Sequence, residues 1–149
     1  MSLRRKIAIG VVMTIFGVAA YIAYAIIYTV RRLPEAYAAW DTGTLLVEYM
    51  KSHGNRWPSS WDDLVTMATS ESADRIILHG AAAGGTNYVS SLRTKVAISW
   101  EFDPSREGQG SPVTRPDGRR FPVVWSGAEP NAMVYSYLRA SRTNPPGGR

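Results

Sequence analysis

The densest group of chemically active side chains is the segment KSHGNRWPSSWDDL, from Lys51 to Leu64. It contains a histidine, an arginine, two tryptophans and two adjacent aspartates. Carboxylates and histidines are residue types used in general acid–base catalysis. Asp62 and Asp63 are sequence neighbours, however. On a helix they would point about 100° apart and would not converge on one reacting atom.

The same segment also has the features of two helix boundaries. Gly54 is the residue type that most often ends a helix in the left-handed conformation. Ser60 followed by Asp63 predicts a capped helix start, where the helix dipole favours negative charge. We therefore interpret the cluster as the end of one helix and the start of the next. Arg56 and Trp57 remain unexplained, and we predict a partner contact there because both residue types are enriched in binding hot spots.

Other patterns of catalytic or cofactor sites are missing from the sequence. The two histidines, His53 and His79, have no HxxxH or HxH spacing, and the chain has no cysteine. The glycine-rich stretch 80–87 lacks Gly-Lys-Ser/Thr and any following apolar helix, so we expect a flexible loop rather than a P-loop. There is no G-x-S-x-G segment. We expect no catalytic residues, no cofactor, no metal site and no enzymatic activity.

A long apolar segment dominates the N-terminal part of the chain. Residues 7–30 contain no charge, proline or histidine. As a helix they span about 36 Å, against roughly 30 Å of membrane hydrocarbon. A signal peptide is the alternative, but its apolar region is usually only about 7–15 residues long. The run also ends in TVRRLP, which is typical of a stop-transfer flank. We predict a retained transmembrane helix over 7–30, after a basic flank at 1–6.

The charge distribution bears on location and on nucleic-acid binding. The net charge is +5. Five of the 17 basic residues lie in residues 1–34 without any acid, and the remaining 12 balance the 12 acids. The balanced remainder argues against nucleic-acid binding. The basic flank predicts a single-pass protein of the cell inner membrane, with a cytoplasmic N-terminus and a periplasmic soluble domain.

Small and aromatic residues in the span predict contacts with other helices. Gly10 and Gly17 would let a neighbouring helix approach closely, and Tyr21, Tyr24 and Tyr28 share one helix face. A plain lipid anchor remains the alternative, because Gly and Ala are common in membrane spans. We predict these five residues as partner-binding, with integral membrane subunits and lipid as partners and a hetero-oligomer favoured over a homo-oligomer.

The remaining chain predicts an α+β domain over 31–142 and a flexible tail over 143–149. Pro34 predicts a kink or break, followed by an amphipathic helix over 35–53. A short helix should begin at Trp61, and the segment 72–80 fits either a second short helix or, over RIILH, a strand. Alternating apolar residues predict a strand over 94–104, and VTRPDGRRFPVVW predicts a hairpin turning at 116–118. The segment 130–141 fits either a strand or a helix capped by Asn131.

This layout resembles that of type IV pilins and type II secretion pseudopilins. The resemblance rests on the charged N-terminus, the membrane helix running through a proline into an amphipathic helix, and the segment HGNRWPSSWDDL before the strands. It implies a pilin-like fold. The pilin processing segment is absent, because VVMTI follows Gly10 and the span has no glutamate. The sequence therefore predicts a non-catalytic accessory subunit of a larger membrane complex, photosynthetic or respiratory complexes being examples. A pseudopilin-like component of a secretion or pilus system is the alternative.

Overall fold

The computed structural model describes residues 3–70, 76–80, 85–106 and 108–143. The chain divides into two compact units, Met1–Leu33 and Pro34–Arg149. Four helices and one two-stranded antiparallel sheet form the described part, which confirms the predicted α+β class.

The first helix, α1, runs from Leu3 to Ser52 without interruption. A break at Pro34 was one of two outcomes that the sequence allowed, and it does not occur. Proline removes only the N–H that would donate to the carbonyl of Val30, and the neighbouring i→i−4 bonds continue the helix on both sides. The apolar span and the predicted amphipathic helix are therefore parts of one element of 50 residues.

The second half of α1 supplies one wall of the domain core. The periodicity predicts an apolar stripe on this helix, and most of its members are buried, namely Ala38, Ala39, Thr42, Leu45, Leu46 and Met50. Two further members of the predicted stripe are not buried: Tyr49 is half-buried and His53 is exposed. Gly54 has a φ of +62°, and the N–H of Asn55 donates to the Met50 carbonyl at 2.8 Å. This hydrogen-bond pattern is that of a Schellman motif, so the predicted glycine stop is confirmed.

Helix α2, Trp61–Thr69, begins where the sequence predicts, but its start is held differently. Ser60 takes the extended N-cap conformation, yet its side chain makes no capping hydrogen bond. Instead the Asp63 carboxylate accepts from the N–H and the hydroxyl of Ser59, each at 2.7 Å. These bonds, the hydroxyl first, hold the pKa of Asp63 below its ordinary value. The acid of the predicted pair thus reaches back to the residue before the N-cap, while the Ser60 hydroxyl makes no cap.

Helix α3, Gly85–Leu92, was not predicted. The expected loop at 80–87 is wrong at its C-terminal end, because Gly85 to Asn87 already belong to this helix. Its apolar residues, Val89 and Leu92, are buried, and α3 packs against α2. Two predictions fall partly outside the described residues: the element at 72–80, whose described part 76–80 is neither helix nor strand, and the tail at 143–149.

The sheet is shorter than its sequence signal. Strand β1 is Ala97–Ile98 and strand β2 is Val113–Thr114, paired in the register Ala97↔Thr114 and Ile98↔Val113. The alternation seen in the sequence does correspond to burial, since Val96, Ile98 and Phe102 are all buried. The chain nevertheless turns after Ser99, where the Phe102 N–H donates to the Ser99 carbonyl at 3.2 Å. This turn ends the ladder.

The predicted turn at 116–118 is confirmed, but the strand after it is not formed. The Gly118 N–H donates to the Arg115 carbonyl at 2.9 Å, and Gly118 has a φ of +76°. The Asp117 carboxylate braces the turn through the N–H of Arg119 and the Arg115 guanidinium. Pro122 cannot donate to a ladder, which disfavours a strand after the turn.

Helix α4, Pro130–Thr143, settles the open choice at 130–141 in favour of helix. Proline suits the first helical position because its missing N–H would be unpaired there anyway. The expected cap by Asn131 is wrong. The Glu129 carboxylate accepts a hydrogen bond from the Ala132 N–H at 2.6 Å and so caps the helix. The buried Asn131 side chain instead accepts from the N–H of Val113 and donates to its carbonyl. Asn131 thus acts as a substitute strand partner along the free edge of β2.

All of these elements meet in one core. Its members come from α1, α2, α3, the sheet region and α4: Ala38, Leu45, Leu46, Met50, Leu64, Met67, Val89, Leu92, Val96, Ile98, Phe102, Val113, Val134 and Leu138.

Gly43 is needed where α1 and α4 approach each other. A Cβ at this position would lie 2.9 Å from Met133 Sδ and 3.0 Å from Pro130 Cα. We expect Gly43→Val to lower the free energy of unfolding by about 1–3 kcal/mol through overpacking. For Gly43→Ala, the same close approach opposes the gain of about 1 kcal/mol in helix propensity. Chemical unfolding in detergent, followed by near-UV circular dichroism, measures both.

Ala140→Val, at an exposed position of α4, is the matched control. Apart from the lower helix propensity of valine, its free energy of unfolding should stay within about 0.5 kcal/mol of wild type. If Gly43→Val were as stable as wild type, α1 and α4 would not be in close contact at this position.

Candidate functional site

Among the described residues, most of the exposed large hydrophobic side chains lie on the apolar part of α1. Its large hydrophobic side chains from Ile9 to Val30 are exposed. No residue of its most apolar 18-residue stretch is buried by the rest of the described protein. Among the described residues this is the one helix long and apolar enough to cross a membrane, with a mean hydropathy of 2.1. In water such a surface would be strongly unfavourable, whereas hydrocarbon accommodates it.

The five residues predicted as partner-binding in the span lie on one face of α1. At 3.6 residues per turn, they and Thr14 fall within an arc of about 80°. The spacing alternates between four and three residues, and we call this set the seam: Gly10, Thr14, Gly17, Tyr21, Tyr24 and Tyr28. The opposite face is aliphatic, with Val12, Ile15, Ala19 and Ile26. The two glycines and the three tyrosines of the span therefore lie on one side of the helix, whereas Ala19 lies on the other.

The seam has open space at one end and aromatic rings at the other. A Cβ added at Gly10 or Gly17 would meet nothing within 4 Å. Tyr21 and Tyr24 are 72% and 67% exposed. The Tyr24 and Tyr28 rings stack with centroids 6.2 Å apart, and the Arg32 guanidinium carbon lies 5.6 Å from the Tyr28 ring centre. Tyrosine and arginine together are typical of the boundary between hydrocarbon and headgroups.

Arg56 and Trp57, the other predicted partner contacts, differ from each other. Trp57 is half-buried, packs against Phe102 with ring centroids 4.7 Å apart, and donates its indole N–H to the Ser99 carbonyl at 2.9 Å. Arg56 is exposed. Trp57 therefore fastens the α1–α2 connection to the end of β1, and a partner contact at this pair stays a prediction.

A cleft of about 300 Å³ lies beside the same connection. It is lined by Tyr49, Ser52, His53, Asp63, Thr66, Met67 and Ser70. The His53 ring stacks on Tyr49 at 4.0 Å, and its Nδ1 lies 3.0 Å from the Tyr49 carbonyl. The structure thus places His53 and Asp63 in one cleft, while Asp62 is exposed. The Asp63 carboxylate accepts two hydrogen bonds from Ser59, so its contacts are those of a helix boundary.

A second cleft, of about 430 Å³, separates the loop around Arg106 from α4. Arg106, Arg139 and Arg142 line it. The Arg106 guanidinium pairs with Asp103 at 3.2 Å, and Arg142 donates to the carbonyls of Pro104 and Ser105. Arg142 therefore holds this loop onto α4, whereas the pair of Arg106 with Asp103 lies within the loop.

The most tightly bonded polar group in the domain is Asp41, which sequence reasoning did not select. It is 0% exposed. One oxygen accepts the His79 N–H at 2.8 Å and lies 3.2 Å from His79 Nδ1. The other accepts the Gly80 N–H at 2.8 Å and the Tyr88 hydroxyl at 2.6 Å. The acid was detectable in principle, because it lies between Ala38 and Leu45 on the apolar face, where an unpaired carboxylate is not tolerated.

These contacts determine what the Asp41 cluster can do chemically. The His79 ring also stacks on Trp40 with centroids 3.5 Å apart. A carboxylate beside Nδ1 favours the tautomer that leaves Nε2 as an acceptor. Asp41 already receives four donors, which fills the lone-pair positions of a carboxylate. Within the described residues no hydroxyl nucleophile bonds to His79 Nε2. The observed contacts fasten residues 79–80 and α3 to α1.

Tyr88 makes this cluster sensitive to alkaline pH. Burial, and then the hydrogen bond and the charge of Asp41, raise the Tyr88 pKa far above its ordinary value of 10.0. The folded state keeps a proton that the unfolded chain releases above about pH 10, so this stability is present below pH 10 and lost as the pH rises further. We expect Tyr88→Phe to be less stable than wild type at pH 7 and to lose stability less steeply above pH 10, measured by chemical unfolding at a series of pH values.

Tyr135→Phe is the matched comparison, because burial also raises the Tyr135 pKa but its hydroxyl donates to backbone carbonyls instead of a carboxylate. Equal alkaline slopes for wild type and Tyr88→Phe would contradict the role assigned to Tyr88.

The described residues contain no group of three or more His, Asp or Glu side chains placed to hold a metal ion. Comparison of the chain with protein-family models, with curated proteins and with solved structures gives no match.

Proposed function

We propose that this protein is a non-catalytic, single-pass accessory subunit that docks on a larger membrane complex through its N-terminal helix. The observation that carries the proposal is the seam. Small residues at 3–4 spacing are the surface that close helix–helix packing in membranes uses, since lipid provides no hydrophobic force between helices. The aliphatic opposite face suits lipid.

The tyrosines of the seam support a protein partner over lipid alone. Tyr21 lies about 10 Å deeper than Tyr28 along the helix. Neither Tyr21 nor Tyr24 makes a side-chain hydrogen bond within the described part of the chain. A hydroxyl left unpaired in hydrocarbon costs several kcal/mol at most, so a polar group on a neighbouring helix would stabilise the inserted state. In this proposal the N-terminus is cytoplasmic and the domain lies on the other side of the inner membrane.

The contacts within the domain support a scaffolding role. Its buried acid and its capping acids are satisfied by backbone and hydroxyl groups of the same chain, as Asp41, Asp63 and Glu129 illustrate. We propose that the domain stabilises or shields the exposed face of the host complex. Photosynthetic and respiratory complexes are the host class to examine first.

The test is recovery of the tagged full chain in mild detergent, followed by mass spectrometry. We expect integral membrane subunits to co-purify with wild type. Gly10→Leu combined with Gly17→Leu should lose them, because the added side chains keep the partner helix at a distance. Val12→Leu combined with Ala19→Leu, on the opposite face, is the matched control and should retain them. A wild-type chain recovered alone and monomeric would contradict the proposal.

A pseudopilin-like component is the second candidate. It is favoured by one observation, that α1 passes without a break from the exposed apolar span into the domain core, and disfavoured by the missing glutamate. Recovery of a secretion ATPase or of pilins in the same experiment would support this candidate over the first.

A further inference from the structure

The loop between the 116–118 turn and α4 lies against the beginning of the domain. The Arg115 guanidinium is 3.7 Å from the Glu35 carboxylate. Ten residues later, the Trp125 ring packs on the Tyr37 ring with centroids 5.6 Å apart. Both ends of the segment 115–125 are therefore attached to the first residues that follow Pro34.

Attachment at these residues limits how far the loop can be from the end of the apolar span. Tyr37 is seven residues after Val30, which is about 10 Å along a helix and at most about 25 Å for a fully extended chain. The headgroup layer extends roughly 5–8 Å beyond the hydrocarbon on each side of a bilayer. The length of the chain therefore allows the loop to contact the headgroups but does not by itself place it there.

The loop carries charge that the protein does not neutralise. Arg119 and Arg120 are exposed, and their guanidinium groups make no ion pair or hydrogen bond within the described residues. The acids that pair in this region, Glu35 and Asp117, both pair with Arg115. Two adjacent positive charges therefore face solvent.

The same loop exposes apolar surface beside those charges. Val124 and Trp125 are 37% and 39% exposed, and the Trp125 indole N–H has no acceptor within the described part of the chain. Tryptophan prefers the membrane boundary, where its ring is in an apolar environment and its N–H stays hydrated. Basic side chains next to such a ring match an anionic lipid surface.

We propose that residues 119–125 form a lipid-binding loop. In it Arg119 and Arg120 bind the phosphates of anionic phospholipid headgroups, and Val124 and Trp125 enter the adjoining boundary layer. The inference rests on the membrane-spanning helix of the proposed function, but it concerns lipid rather than the partner subunits. It gives the domain a second attachment to the membrane, independent of the seam.

The test uses the full chain in nanodiscs whose lipids are brominated on their acyl chains. The Trp125 signal is the difference in fluorescence quenching between wild type and Trp125→Phe. In phosphatidylglycerol nanodiscs we expect Trp125 to be quenched, and in phosphatidylcholine nanodiscs with the same acyl chains we expect the quenching to be weaker. Arg119→Gln with Arg120→Gln should lower the equilibrium constant for loop binding about 25-fold, since one arginine near an anionic surface contributes roughly fivefold.

Arg93→Gln with Arg139→Gln is the control, because it removes the same charge from two other exposed positions. Quenching of Trp125 that is absent, equal in the two lipids, or reduced as much by the control pair would overturn the inference. A chain that does not enter nanodiscs would contradict the spanning helix itself. Incorporation without Trp125 quenching would contradict the lipid-binding loop and leave the proposed accessory role standing.

Discussion

Replacing Val18 and Ile22 together by aspartate is expected to keep this protein out of the membrane. Both positions lie near the middle of the apolar run, beside the seam but outside it, at about 80° and 120° from its centre around α1, and both side chains are exposed. Aspartate near the centre of a membrane helix costs about 2.5–3.5 kcal/mol per residue on insertion scales, so the pair should cost about 6 kcal/mol. Carbonate extraction of membranes should leave wild type in the pellet and release the double variant.

The control adds two aspartates to exposed positions of the domain, through Ile77→Asp and Ala132→Asp. We expect this variant to stay in the pellet with wild type, because neither position lies in the span. If both double variants fractionated alike, or if wild type were released by carbonate, α1 would not be a membrane anchor. Since the aspartates avoid the seam, the result separates insertion from partner binding.

The second large effect is expected at Asp41. Asp41→Ala would leave the Tyr88 hydroxyl and the N–H groups of His79 and Gly80 without their acceptor in the interior. Removing one member of a buried, charged hydrogen-bond network costs about 3–5 kcal/mol. We expect the free energy of unfolding of the domain to fall by that amount, measured by chemical unfolding of the full chain in detergent.

Hydrogen exchange provides a local readout for the same variant. The amides of His79 and Gly80, and those of α3, should lose protection before the buried second half of α1 does, because the carboxylate is their attachment to α1. Glu101→Ala, at an exposed acid that makes no hydrogen bond or ion pair within the described residues, should change stability by less than about 0.5 kcal/mol. Comparable losses for the two variants would show that Asp41 is not the attachment point.

Local sequence patterns predicted the helices with strong periodicity or clear end signals. The apolar face of α1, the glycine stop at Gly54 and the start of α2 at Trp61 follow from residues within one or two turns of each other. The 116–118 turn likewise follows from a local Pro-Asp-Gly sequence. These features depend on backbone conformation and on neighbouring side chains, both of which a short stretch of sequence contains.

The failures share a different cause. Glycines at 80–85 suggested a loop, but Val89 and Leu92 bury against the rest of the core and hold α3 as a helix. The alternation around Ile98 suggested a long strand, but a strand needs a partner from a distant part of the chain. That partner, β2, pairs over only two residues, and its other edge is bonded by Asn131 of α4. At the start of α2 only the acid of the predicted Ser60–Asp63 pair makes a cap, and at the start of α4 Glu129 makes it instead of Asn131.

The candidate sites divide in the same way. The apolar length of the span, the absence of cysteine and the composition of the seam are properties of the sequence alone, because they depend on which residues occur and at what helical spacing. The Asp41 cluster, the closeness of Gly43 to Pro130 and the attachment of the 119–125 loop near Tyr37 join residues separated by tens of positions. Only the tertiary structure decided them, since long-range packing, and no local preference, brings those side chains together.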